Sequence, residues 1–235
     1  MPTAVDERLA ELAARWELPD AAPAQLRAIL DLVAAEPTSI TTVRDPVEGV
    51  NAHVADSLAG LEVEAVRQAG RIADLGSGGG FPGLALAVAL PDTHVTLVES
   101  VGKKCEFLRR IAGATGLANV DVVNARAEAW PAGHGTEDVV TARALAPLNV
   151  LAEYAAPLLV AGGSLVAWKG HRDPSEEADG LAAATQLGLE PLPPRAVEPF
   201  PGADARRLYL YLKVSSTPPR YPRREGMARK RPLRA

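Results

Sequence analysis

Apolar residues recur at helical spacing near the start of the chain: Val5, Leu9, Leu12 and Trp16, then Leu26, Ile29, Leu30 and Val33 after Pro23. Two helices are predicted there. A turn-rich stretch from Glu36 to Pro46 leads to a third, carrying Val47, Val50, Val54, Leu58 and Leu61. From Ile72 onward the pattern changes. Short apolar runs at Ile72 to Leu75, His94 to Val98, Val120 to Val123, Asp138 to Thr141 and Gly162 to Lys169 predict strands. Helical segments fall between them: Leu84 to Leu90, Gly102 to Ile111, and one carrying Leu148, Val150, Leu151 and Leu158. A helix across Glu176 to Leu187 follows, and Leu208 to Val214 alternates like a late strand, expected to form a hairpin with the region around Ala196 to Phe200. Strands alternating with helices predict an α/β fold, a doubly wound Rossmann-like parallel sheet. The organisation expected is an N-terminal helical cap over 1–69, the sheet domain over 70–216, and a flexible basic tail over 217–235 set off by Thr217-Pro218-Pro219.

Between the first strand and its helix runs Asp74-Leu75-Gly76-Ser77-Gly78-Gly79-Gly80-Phe81-Pro82-Gly83. Glycine belongs where the backbone takes positive φ or comes within contact distance of a ligand. Pro82 suits a first helical position, and the free N–H groups of that helix end point back over the loop. The run satisfies G-x-G-x-x-G, which taken alone suggests a dinucleotide. It also satisfies D-x-G-x-G-x-G, the pattern of doubly wound S-adenosylmethionine-dependent methyltransferases. Asp74 favours the second reading, because a carboxylate suits an ammonium and a sulfonium better than a pyrophosphate. Glu99, at the end of the next strand, stands where a ribose-binding carboxylate is expected and fits either cofactor. The cofactor candidates are therefore Asp74, Gly76, Ser77, Gly78, Gly80, Phe81 and Glu99.

Charge adds a second theme. The chain of 235 residues has 25 basic and 29 acidic residues, a net charge of −4. Seven basic residues and Glu225 lie from Arg220 onward, so the tail is +6 and the body about −10. Only the tail suits a polyanion. Arg220, Arg223, Arg224, Arg229, Lys230 and Arg231, with Lys169 at the end of a strand, are the candidate RNA contacts. On this reading, deleting everything after Thr217 flattens the salt dependence of RNA binding and leaves cofactor binding intact. No apolar run approaches the ~18 residues of a membrane span, and the early Asp6, Glu7 and Glu11 do not resemble a signal peptide, so a cytoplasmic protein without a membrane partner is expected. The single cysteine, Cys105, reads as a core thiol, and no metal site is expected.

Other strand ends supply further candidates. Ala127 and Glu128 follow the third strand and could read an adenine edge, Glu128 having the alternative role of an early-helix acid. The fourth strand runs into Thr141-Ala142-Arg143-Ala144, with a donor where amine methyltransferases carry the acceptors of an Asn/Asp-Pro-Pro-aromatic motif. An amine acceptor is disfavoured. Arg143 can position the cofactor carboxylate or the acceptor; the structural alternative is a pairing with a carboxylate such as Asp74. His53, Asp56 and Ser57 interrupt the third helix, as a satisfied hydrogen-bond cluster or as a cleft wall.

Taken together these pieces resemble the bacterial small-subunit ribosomal RNA guanine-N7 methyltransferase family, also called glucose-inhibited division protein B. The resemblance runs from about Arg44 to the C-terminus. It rests on His53 with Asp56-Ser57, the Asp74 to Gly83 loop, Glu99 with Gly102-Lys103-Lys104, Arg126-Ala127-Glu128, Ala142-Arg143-Ala144, Lys169-Gly170 and Tyr221-Pro222-Arg223-Arg224. Pro37-Thr38-Ser39-Ile40-Thr41 stands where family members usually carry asparagines. The resemblance implies S-adenosylmethionine as donor and one guanine in the decoding-site loop of 16S rRNA, on the small ribosomal subunit, as acceptor. A monomer is expected. A methyltransferase for a small metabolite explains the loop but gives the basic tail no task, and a noncatalytic nucleotide-binding module explains least.

Overall fold

The computed structural model describes residues 1–37, 40–203 and 205–235; Thr38 and Ser39, within the segment that departs from the family, lie outside it. Helices α1 (Ala4–Trp16) and α2 (Ala22–Ala35) pair as an antiparallel hairpin. Thr3 and Asp6 close a capping box on α1, and Leu9, Leu12, Leu26, Ile29 and Leu30 are buried. The predicted third helix is a chain of short pieces: α3 (Pro46–Gly49), a π-helical turn (Val50–Ala55), α4 (Asp56–Leu58), a 3-10 turn (Ala59–Glu62) and α5 (Glu64–Arg67). Val47, expected on its apolar face, is exposed.

One sheet follows, with strand order β3-β2-β1-β4-β5-β8-β6 and β7 paired to β8. The strands are β1 (Arg71–Leu75), β2 (His94–Glu99), β3 (Val120–Asn124), β4 (Glu137–Arg143), β5 (Leu159–Lys169), β6 (Leu189–Pro191), β7 (Arg195–Ala196) and β8 (Arg207–Lys213). The first five are parallel, and β8 runs antiparallel to β5. Sequence reading missed β6, which shares β8 with β7, because three residues carry no measurable alternation. Helices α6 (Gly83–Ala89) and α7 (Gly102–Ala114), with the N-terminal cap, cover one face; α8 (Leu148–Ala155) and α9 (Pro174–Leu187) cover the other. Buried on both faces, β1 carries Ile72, Ala73, Asp74 and Leu75 with no polar alternation.

The tail differs from the expected flexible segment. Tyr221 and Ala228 are buried, and α10 (Met227–Lys230) packs on α8. Arg223 forms a two-pronged ion pair with Glu153 of α8, Nε to Oε1 at 2.8 Å and Nη2 to Oε2, and Glu153 is almost fully buried. Release of the tail would leave the buried Glu153 carboxylate without this cation, which is costly.

Candidate active site

The carboxyl ends of β1 to β5 meet the glycine loop and the cap, where two clefts open. The first, about 390 Å³, is lined by Gly76, Val98, Ser100, Ala125 to Glu128, Leu145, Tyr154 and Arg229. Gly76 has φ +67°, and a Cβ there would lie 2.6 Å from Leu145 Cδ1. Gly83 admits no Cβ either, because one would meet Leu97 Cδ2 at 2.3 Å. The glycines let the loop lie against its neighbours and leave the cleft open above.

Asp74 does not face this cleft. It is 1% exposed; Oδ1 accepts from the Thr141 hydroxyl at 3.0 Å and Oδ2 from the Gly83 N–H at 3.2 Å. The carboxylate therefore ties β1, β4 and the start of α6 together under the loop, and burial pushes its pKa up to about 6. Ser77 is also buried and donates to the Asp74 carbonyl. Pro82 caps α6 instead of starting it, since Gly83 is its first residue. Glu99 fixes the loop from the side: Oε2 accepts from Gly78 N–H at 3.0 Å and Oε1 from Val101 N–H at 2.8 Å. Phe81 is buried and stacks on His53, ring centroids 4.7 Å apart and 10° from parallel. Cys105, buried, donates to the Glu99 carbonyl, and burial raises its thiol pKa.

On the far wall, Ala127 and Glu128 form a short 3-10 turn, and Glu128 Oε1 accepts from Gly226 N–H of the tail at 2.9 Å. Arg229 donates to the Leu145 carbonyl at 2.8 Å and lines the same cleft beside Tyr154, whose hydroxyl is raised in pKa chiefly by burial. Sequence reasoning placed Arg229 on RNA and gave Tyr154 no role. Nothing local in the sequence signals that the tail returns to this wall.

The second cleft, about 410 Å³, lies between the cap and the β4–β5 edge and is lined by residues that include His53, Asp56, Arg143, Lys169 and Arg206. Ala144, with φ +54°, is one of two non-glycine residues in the left-handed region among the described residues. Arg143 and Ala144 line the second cleft and Leu145 the first, so the chain between the clefts turns at this position. Arg143 pairs with Asp56, not Asp74: Nη1 lies 2.7 Å from Oδ2 and also donates to the Ala52 carbonyl at 3.1 Å. Asp56 is pinned from β5, whose Trp168 donates to its backbone carbonyl at 2.8 Å and packs where a Cβ on Gly60 would clash.

The π-helical turn places His53, and Ser57 donates its hydroxyl to the His53 carbonyl, competing with the helical ladder there. Burial, aided by the Arg143 charge, holds the imidazole below its usual pKa. Its Nε2, 2.8 Å from the Val43 carbonyl, is then the protonated nitrogen, and Nδ1 is buried without a partner among the described residues. Such a ring braces Phe81 and is badly placed for proton transfer. Lys169, expected on RNA, is tied to Glu176 and to the Ala146 carbonyl. Arg223 is likewise consumed by Glu153, whereas Arg220, Arg224, Arg229, Lys230 and Arg231 are exposed. Among the described residues no group of His, Cys, Asp and Glu could hold a metal, and no helix is long and apolar enough to cross a membrane.

The chain as a whole matches known proteins. The family model for rRNA small subunit methyltransferase G matches residues 25–195, beginning well before Arg44. A ribosomal RNA small subunit methyltransferase G of Rubrobacter xylanophilus is 45% identical over 83% of this chain and 77% of its own length. Its counterpart from Chloroflexus aggregans is 39% identical over 96% of this chain and 97% of its own. A solved SAM dependent methyltransferase from Aquifex aeolicus superposes with a TM-score of 0.58 at 17% identity, covering 76% of this chain and 99% of that one, a likeness of fold alone. The doubly wound Rossmann-like sheet, the helical N-terminus and the extent of these matches agree: the chain belongs to the rRNA small subunit methyltransferase G family.

Proposed function

We propose that this protein transfers a methyl group from S-adenosylmethionine to N7 of one guanine in the decoding-site loop of 16S rRNA. The observation that carries the reading is the pair of clefts on either side of the Arg143 to Leu145 turn: one walled by the glycine loop and the turn after β3, the other by polar side chains of the cap and β4. The first suits the cofactor. The open floor left by Gly76, the loop held by Glu99, and Ala127 with Glu128 on the far wall can hold an adenosine. When bound, S-adenosylmethionine supplies an electrophilic methyl on a sulfonium.

The acceptor needs little from the protein. Guanine N7 has an in-plane lone pair and no proton to lose, so the S–CH₃ bond breaks as the N7–CH₃ bond forms and positive charge passes to the base. No general base is required, in keeping with the buried His53 and with Cys105 bonded inward. Alignment is the main contribution, worth up to ~7 to 11 kcal/mol in well-oriented systems. Arg143 supplies it: Nη1 is fixed by Asp56, and the rest of the guanidinium is left to donate at the junction of cofactor and base. Exposed Arg220, Arg224, Lys230 and Arg231 supply phosphate contacts. The protein acts in the cytoplasm as a monomer on small ribosomal subunits.

The test is transfer of labelled methyl from S-adenosylmethionine to small subunits lacking the modification. Label recovered as N7-methylguanine in the RNA is expected, with turnover reduced about 100-fold or more in Arg143→Ala. Cofactor binding with no label in RNA would return the protein to the small-metabolite reading.

A further inference from the structure

The His53, Asp56 and Ser57 motif is only partly explained by bracing the loop. Asp56 is 2% exposed yet lines the second cleft. Its Oδ2 is taken by Arg143, whereas Oδ1 has no hydrogen-bond donor among the described residues. Arg206 Nε lies 3.2 Å from Oδ1, close enough to balance its charge but not in hydrogen-bond geometry, and the Arg206 side chain is 42% exposed. A buried carboxylate oxygen left without a donor is costly unless a ligand supplies one.

Arg143 and Asp56 together present a guanidinium donor beside a carboxylate acceptor. Guanine offers the complement: the O6 acceptor beside the N1–H and N2–H donors. Adenine offers the reverse, an N6–H donor beside a bare N1, and nothing at C2. Reading guanine along this edge leaves N7, on the other side of O6, free for the methyl donor.

We propose that Asp56 is the specificity-determining residue for the acceptor base, its Oδ1 accepting from N1–H and N2–H of the guanine whose O6 Arg143 holds. The proposal rests on the reading of guanine as acceptor. Arg206 is the movable cover: it leaves Oδ1 as the base enters and stays beside the nucleotide's phosphate. Trp168 holds the Asp56 backbone carbonyl, and Ser57 holds the His53 carbonyl one turn before, so that the pair keeps its register against the base.

Inosine keeps O6, N1–H and N7 but lacks the N2 amino group, which makes a direct test possible. Small subunits reconstituted with guanine or inosine at the target are compared as substrates of the wild type and of Asp56→Asn, with adenosylhomocysteine binding and melting checking cofactor site and fold. The wild type is expected to prefer guanine by about tenfold in kcat/KM. In Asp56→Asn the activity on guanine falls and the inosine penalty vanishes or inverts, whereas Asp56→Glu retains the penalty. A variant that merely unseats Arg143 lowers both substrates equally and keeps the penalty, which would overturn the proposal. If Asp56→Asn does not fold, the wild-type arm still decides, since equal rates on guanine and inosine overturn it. A wild type that methylates neither substrate removes the functional reading itself, and the proposal with it.

Discussion

Asp74 illustrates how a residue can stand in the expected place and do a different task. Its position at the end of β1 is legible from D-x-G-x-G-x-G, but its direction is not, because only the closed sheet brings Thr141 beside it. Burial holds its folded pKa at about 6, above the ordinary 3.8, so the folded protein keeps that proton more tightly than the unfolded chain. Asp74 therefore favours folding at acidic pH, and that contribution is lost as pH rises through about 6. The melting temperature of the wild type relative to Asp74→Asn is expected to fall between pH 4 and pH 7. A difference independent of pH would contradict the placement. Gly76 makes the complementary case, since its requirement for glycine was plain in the sequence but its neighbour Leu145 was not. Gly76→Ala meets both a positive φ of +67° and Leu145 Cδ1 at 2.6 Å. It is expected to cost about 1 to 2 kcal/mol of stability from the backbone alone and to weaken adenosylhomocysteine binding, measured by calorimetry.

At the scale of elements, periodicity located the helices and parallel strands because each is long enough to show its period. It failed where structure depends on distant partners. The stretch 46–62 reads as one helix, yet Ser57 and His53 open a π-helical turn in it. The tail reads as detached because it is basic and follows prolines, yet Glu153, seventy residues earlier, captures Arg223. The same ion pair revises the truncation experiment. Removing everything after Thr217 takes away Arg229 and the Gly226 N–H bonded to Glu128, so the truncated protein is expected to bind adenosylhomocysteine more weakly as well as to lose stability. Arg223→Ala alone, which strands the buried Glu153, is expected to cost about 3 kcal/mol in denaturant unfolding. Unchanged stability in that variant would mean that the tail is held by something else. Replacing the exposed Arg224, Lys230 and Arg231 by glutamine is expected to lower the salt slope of subunit binding by ~0.7 for each phosphate no longer neutralised, with cofactor binding untouched.

Across the whole molecule, the acidic body and the basic C-terminal segment are assembled so that the segment's inner face lines the first cleft and its outer face carries exposed cations. Composition disclosed the asymmetry of charge. It could not disclose that one segment serves both surfaces, because that depends on how α10 packs on α8. The second cleft was least legible of all: its residues come from the cap, β4, β5 and the approach to β8, and only Arg143 among them was marked as catalytic by the sequence. On the proposed function the chemical outcome is a positively charged N7-methylguanine in RNA. Such a base is reduced by borohydride, after which aniline cuts the strand at that nucleotide. Small subunits lacking the modification, treated with the protein and S-adenosylmethionine and then mapped in this way, should show one new cut, in the decoding-site loop. Methyl incorporation with no cut there, or cuts scattered over many guanines, would contradict the account.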